Sequence, residues 1–292
     1  MNWIVCLTRN NLQLTQRAIQ SFRAQDIEGG VRILVVENAS DDNTCAWLAT
    51  QPDITTIFNR PQVGVAGGWN QACRWLMNWK WDTSVRPPMP LPPMCDYVLV
   101  CNNDVVLRPD TYRWLVADGG GFVTAVGTRD KERIKPSYIL SMDIKDMDIK
   151  DFENTMAGDI AFAKEDLRLE YLAPDPSAKR PHPDFSCFLI RRSTWETVGE
   201  FNEQYFPAFC EDADYHLRMH RAGIRAEALE LPFYHAGSAT VNNADANEQR
   251  YIRRQADKNR ELFRATYGFG VGSGEYYRAF GHGQPPEDVP PL

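Results

Sequence analysis

The first hundred residues alternate between two kinds of apolar spacing. Asn2–Leu7, Val31–Glu37, Ile54–Asn59 and Tyr97–Cys101 are short runs of apolar and β-branched residues, the pattern of strands covered on both faces of a parallel sheet. Between them, Leu12–Arg23, Asp42–Ala49 and Gly68–Trp79 repeat apolar residues at helical spacing. Strand and helix in alternation predict βαβ units with right-handed crossovers, and so an α/β fold. Further on, Phe185–Ile190 predicts another strand, Asp212–Ala222 a helix and Ala246–Tyr267 a long amphipathic helix. From Gly268 to Leu292, frequent Gly and Pro predict an irregular tail.

In open sheets of this kind, ligands bind beyond the carboxyl ends of the strands. Those ends carry Thr8-Arg9-Asn10, Glu37-Asn38-Ala39-Ser40, Asn59-Arg60 and Asn102-Asn103-Asp104. Helix capping accounts for Thr8 and for Ser40-Asp41-Asp42, whose oxygens can accept from free N–H groups at a helix start. Capping does not account for all four ends, so together they predict a binding site.

Composition narrows the partners. The chain has 292 residues, 43% of them hydrophobic and 24% charged, which is globular rather than disordered composition. Its formal charge of −7 argues against stable nucleic-acid binding, which needs clustered Lys and Arg to displace counterions. The opening MNWIVCLTRNN has too short an apolar run for a signal-peptide core or membrane span, and the expected location is cytoplasmic. Seven scattered cysteines without a CxxC pair predict reduced core residues rather than a disulfide frame or zinc site. Pro87–Pro93 contains five prolines and reads as a stiff spacer, and MDIKD occurs twice in tandem from Met142 to Asp151, too short for a solenoid repeat. Trp75 and Trp79, with Trp69 and Trp81 nearby, predict core packing. The rival, a peripheral membrane contact, lacks a dense Lys/Arg face. His216 and His220, four apart and without an HExxH pattern, read as packed or solvent-facing rather than metal-binding.

In order and spacing, six stretches resemble family 2 glycosyltransferases of the GT-A fold, and within them the rhamnosyltransferase-like branch. They are LTRNN, VVENASDD (Val35–Asp42), NRPQVGVAGGWNQA (Asn59–Ala72), LVCNNDVVL (Leu99–Leu107), GEFNEQYFPAFCEDADYHLRMHRAG (Gly199–Gly223) and FYHAGSAT (Phe233–Thr240). The resemblance spans about residues 2–240. It implies a mostly parallel, Rossmann-like central sheet flanked by helices, with a small acceptor-side region. On that plan residues 1–267 form a single domain: 1–107 bind the nucleotide sugar, 108–240 form the acceptor and catalytic half, and 241–267 are a C-terminal helix.

Carried over residue by residue, the resemblance implies a donor pocket at Thr8, Arg9, Glu37, Asn38, Asn59, Gly64, Gly68, Asn70, Asn102 and Asn103. Asn38 can pair with a pyrimidine imide through its amide, and Glu37 stands where the family more often has Asp. Gly64, Gly67 and Gly68 allow close backbone approach at a helix start that can face anionic groups. Asn102-Asn103-Asp104 takes the place of the DxD motif, so Asp104, with His235 as second ligand, would hold Mn²⁺ or Mg²⁺. Of the paired carboxylates, Asp212 is implied as general base, with Glu211 orienting it or the acceptor. Glu211, Asp212 and Asp214 also fit a purely structural role, because carboxylates favour the positive end of a helix dipole.

The implied reaction is inverting transfer of a sugar from a UDP- or dTDP-linked donor to a hydroxyl of a glycan or lipid-linked glycan, as in polysaccharide biosynthesis. No GxGxxG or P-loop follows the first strand, which excludes the commonest dinucleotide and NTP folds. A nucleotidyltransferase, a catalytically silent sugar-nucleotide or glycan-binding protein, and an enzyme that glycosylates modified bases in DNA remain as alternatives. The sequence leaves homo-oligomer formation open.

Overall fold

The computed structural model describes residues 1–77, 95–128, 179–180, 183–237 and 239–280. The Pro87–Pro93 run, the MDIKD tandem, Trp79, Trp81 and residues 281–292 lie outside the described residues.

The amino-terminal half is the predicted alternation. Strands β1 (Trp3–Thr8), β2 (Arg32–Asn38), β3 (Ile54–Asn59) and β4 (Tyr97–Asn102) pair in parallel in the order β3-β2-β1-β4, and helices α1 (Leu12–Arg23), α2 (Thr44–Leu48) and α3 (Gly64–Met77) lie between them in sequence. Alternation along β1 divides two cores. Trp3, Val5 and Leu7 pack with Trp69, Cys73 and Trp75 of α3, whereas Ile4 and Cys6 pack with Ile19 and Phe22 of α1. Trp75 meets Trp3 edge-on at 5.4 Å, and Trp69 lies 5.2 Å from Phe188 and 5.0 Å from Phe201, which makes these two tryptophans core residues.

Beyond β4 the sheet becomes mixed. The chain continues through β5 (Val105–Val106), α4 (Thr111–Asp118), β6 (Phe122–Thr128), β7 (Lys179–Arg180), β8 (Cys187–Arg191), α5 (Arg192–Val198), α6 (Glu211–Arg221) and β9 (Ala226–His235). Strand β8 is antiparallel to β4, β6 is antiparallel to β8, and β9 is parallel to β6. Two reversals restore direction, so β4, β6 and β9 all end at the same edge of the sheet. The start of β8 lies there too.

After the sheet come α7 (Ala239–Asn242), α8 (Ala246–Tyr267) and α9 (Gly274–Ala279). Asp245 caps α8 by accepting from the N–H groups of Asn247 and Glu248, and Gly268 closes it at φ 83°. Ile252, Ala256, Asn259 and Phe263 form its buried stripe. Of the seven cysteines, all are free and six are buried, as expected for reduced core residues.

Three expectations need correction. Helix α3 starts at Gly64, four residues before the predicted Gly68, because Gly64 enters it at φ +75° and Val65 N–H is held by the Pro207 carbonyl at 2.8 Å. Thr8 is not a cap: its hydroxyl meets that of Thr15 at 2.8 Å, and the capping oxygens come from Asp42, which accepts from Leu12 N–H at 3.1 Å and Thr44 N–H at 3.0 Å. The tail after Gly268 is not irregular throughout, since Tyr276, Tyr277 and Phe280 bury themselves in a third core with Tyr205, Cys210 and Phe263.

Candidate active site

At the donor-side strand ends, most polar side chains are already committed to holding the backbone. Asn103 donates to the Thr8 hydroxyl, the Thr15 hydroxyl and the Asn10 carbonyl at 3.0–3.1 Å, tying β4 to β1 and α1. The Asn38 amide donates to Gly64 O at 3.1 Å and accepts from Val63 N–H at 2.8 Å. It is thus a clamp on the start of α3, rather than a free partner for a pyrimidine. Asn59 and Gln71 exchange two hydrogen bonds at 2.8 and 3.0 Å. Asn70 accepts from Phe201 N–H at 2.8 Å and donates to Phe201 O at 2.9 Å and to Glu203 at 2.8 Å, joining α3 to a loop 131 residues away.

The glycines also serve packing. A Cβ on Gly68 would lie 2.4 Å from Leu7 Cδ1, and one on Gly64 would lie 2.9 Å from Pro207 O. The start of α3 therefore faces β1 and the Pro207 backbone, where an anion site had been expected. Glu37 is buried and accepts from Ser40 N–H at 2.6 Å and from Arg60 at 2.8 Å. Burial works to raise its pKa, but hydrogen bonds from Ser40, Cys45 and Arg60 outweigh burial and hold the carboxyl below its usual range. Arg9 donates to the Asn38 and Ala39 carbonyls and to Glu248 at 2.7 Å, which fastens α8 to the donor-side loops. Within the NND triplet, Asn102 is the partly exposed member.

The other edge of the site behaves differently. Val105 of β5 pairs with His235 of β9, and Ala236 N–H donates to Asp104 O at 3.0 Å. This register brings His235 Nε2 to 3.4 Å from Asp104 Oδ1. Beside them, the space that a side chain on Gly127 would need is filled by Asp184 Oδ2 and the His235 ring, 2.5 and 3.3 Å from the Cβ position. Asp184 accepts from Gly127 N–H at 2.9 Å and from the backbone and hydroxyl of Ser186. Asp184 also makes a small contribution to the raised pKa of Asp212.

Asp212 lies in the first turn of α6, and its pKa is raised by burial, an effect partly offset by the backbone N–H groups of Ala213 and Asp212, with Asp184 adding a smaller rise. Glu211 is buried, its Oε2 has no hydrogen-bond partner, and burial followed by the Asp212 charge pushes its pKa well above the usual carboxylate range. A buried carboxyl beside a half-buried one, both with raised pKa, suits proton transfer better than a surface helix start does.

No protein-family model and no curated protein matches the chain. Solved structures do. The mannosyltransferase PcManGT from Pyrobaculum calidifontis, in complex with GDP-Man and Mn²⁺, matches with a TM-score of 0.53 and 16% identity, over 95% of this chain and 67% of its own. S. aureus TarS matches with a TM-score of 0.50 and 12% identity, over 96% of this chain and 49% of its own. The chain has a glycosyltransferase fold. Within it, the central sheet is flanked by helices in the GT-A manner, as the sequence motifs imply.

Two participants were passed over or only half read in the sequence. Asp184 precedes an antiparallel strand, so a search restricted to residues after parallel strands passes over it, although the start of β8 lies at the same edge. Arg60 was visible at a strand end, but its pairing with Glu37 needed the register of β2 and β3. His216 is a buried packing residue stacked on Phe280 at 4.0 Å, and the exposed His220 meets the same ring edge-on at 5.4 Å.

Proposed function

We propose that the chain is an inverting glycosyltransferase that moves a sugar from a nucleoside-diphosphate donor to a hydroxyl of a glycan or lipid-linked glycan. The observation that carries this reading is the 3.4 Å approach of His235 to Asp104, to which the reading joins Asp212 as the base. A carboxylate oxygen and an imidazole nitrogen so close fit two neighbouring positions on one divalent cation. Among the described residues, no cluster of three or more His, Cys, Asp or Glu offers a fuller set, which suits a cation held jointly by protein and diphosphate. A cation bound by Asp104 and His235 would neutralise charge on the departing nucleoside diphosphate.

Asp212 takes the proton of the acceptor hydroxyl as that oxygen bonds to the anomeric carbon and the bond from that carbon to the diphosphate oxygen breaks. A single displacement from the opposite face inverts the centre. Burial makes Asp212 a stronger base than an exposed aspartate, and the strongly raised pKa of Glu211 weakens the negative charge competing beside it. Glu37 and Arg60 form an ion pair at the nucleoside end, with UDP and dTDP the donors favoured by the motifs. The GDP-Man bound to PcManGT adds GDP to the candidates.

A thermal-shift experiment with MnCl₂ and UDP, dTDP or GDP in turn tests the donor reading. Ligand at 100 times its Kd stabilises a fold by about 2.7 kcal/mol, so one nucleotide should raise the melting temperature only when Mn²⁺ is present. No rise with any of the three would refute a nucleotide-sugar donor.

A further inference from the structure

The carboxy-terminal segment, which the Gly and Pro content marks as irregular, folds back onto the first turn of α6. Ser273 caps α9 by accepting from Tyr276 N–H at 3.2 Å. The buried Tyr276, Tyr277 and Phe280 then share one cluster with Cys210 and Ala213, residues that bracket Asp212. Tyr276 meets Phe280 edge-on at 5.1 Å and Phe263 of α8 at 6.1 Å, and Phe280 stacks on His216 at 4.0 Å. Ala213, His216, Leu217 and His220 recur at helical spacing, so α6 turns one stripe toward these rings.

We infer that α9 belongs to the catalytic apparatus, with Tyr276 a positioning residue whose ring walls Asp212 from water and so sets the strength of the base. The inference rests on Asp212 being that base. Several titratable groups surround Asp212. Glu211 and Asp214 stand on its own helix, Asp184 faces it from the turn before β8, Tyr276 from α9, and Cys210 from the preceding turn, where Arg260 of α8 is the nearby cation. The Tyr276 phenol is raised by burial and next by the Asp212 charge, as the shared cluster requires. Water admitted on that side would favour the charged form of Asp212 and weaken it as a base.

The test replaces the carboxyl with a reporter in the full chain. In Asp212→Cys, the pH dependence of iodoacetamide alkylation, read on the peptide carrying position 212, gives the thiol midpoint. It should lie above the free-thiol value of about 8.5. Adding Tyr276→Ala should lower that midpoint by about one unit, roughly tenfold in thiolate fraction below it. Adding Tyr276→Phe, which keeps the ring, should leave it in place.

Should the Tyr276→Ala chain fail to fold, Phe280→Ala removes the ring against which Tyr276 packs and should lower the midpoint in the same direction. An equal midpoint in Asp212→Cys with and without the ring-removing substitution overturns the inference. Alkylation needs no sugar transfer, so this failure is separable from failure of the glycosyltransferase reading. In the wild-type Asp212 background, the acid limb of kcat/KM should move to lower pH in Tyr276→Ala and stay fixed in Tyr276→Phe. An unmoved limb in Tyr276→Ala also counts against the wall.

Discussion

The two edges of the site use polar residues in opposite ways. On the donor side, Asn38, Asn59, Asn70 and Asn103 spend their amides on backbone carbonyls, N–H groups and neighbouring polar side chains such as Gln71, Glu203 and Thr8, and the Glu37 carboxyl is held below its ordinary range by the bonds it accepts. On the catalytic side, Glu211 keeps a buried oxygen without a partner and both members of the Glu211-Asp212 pair are raised by burial. A satisfied polar network rigidifies a fold, whereas an incompletely satisfied buried carboxyl is destabilising and persists where chemistry uses it. The comparison separates a scaffold of asparagines from a reactive edge of carboxyls and a histidine.

The largest expected effect lies on the reactive edge. Asp212→Asn should lose about 10²–10⁴-fold in turnover, or roughly 2.7–5.5 kcal/mol of transition-state stabilisation, with its melting temperature preserved. Steady-state transfer to the true acceptor checks this, and equal turnover would remove Asp212 from the mechanism. Next is the scaffold. Asn70→Ala leaves the N–H and C=O of buried Phe201 without their side-chain partners, so it should cost about 2–4 kcal/mol of unfolding free energy while the folded fraction keeps its donor affinity. Denaturant unfolding beside nucleotide titration separates the two, and weakened donor binding at unchanged stability would break the comparison.

The smallest effect concerns Glu211, whose pKa is raised in the folded chain. Its neutral form is favoured by folding, so the stability it contributes is complete below the unfolded carboxylate pKa and is lost as pH rises through the folded value. Glu211→Gln mimics the protonated form. Its melting temperature should match wild type at acid pH and pull ahead as pH rises above the ordinary carboxylate range. Parallel melting curves with a constant gap would show that Glu211 is ionised in the fold.

Much of this molecule was legible in the chain because its determinants are local. The period of apolar residues located β1 to β4, α1 and α8 within a residue or two. The order of motifs brought Asp104, Asp212 and His235 into one reading, and the pairing of β5 with β9 supplies the reason Asp104 and His235 meet. Local signals failed where the partner is remote. Gly68 looks the same in sequence whether a phosphate or Leu7 fills the space above it. Likewise, nothing near Asn70 announces that Phe201 will occupy both ends of its amide. The start of α3 was missed because Gly64 and Gly67 are poor helix formers, and their absent side chains suit the approach of Pro207 and the nearby Val63 side chain. Helix α9 was missed because its fold depends on aromatic contacts with α6 and α8 rather than on its own propensity.

The most direct measurement titrates the nucleoside diphosphate found by thermal shift, with and without MnCl₂, into wild type, Asp104→Ala and Asp212→Asn. Calorimetry should give Mn²⁺-dependent binding in wild type and Asp212→Asn, and none in Asp104→Ala. Unchanged affinity in Asp104→Ala would contradict the assignment of Asp104 and His235 as the cation site on which this account depends.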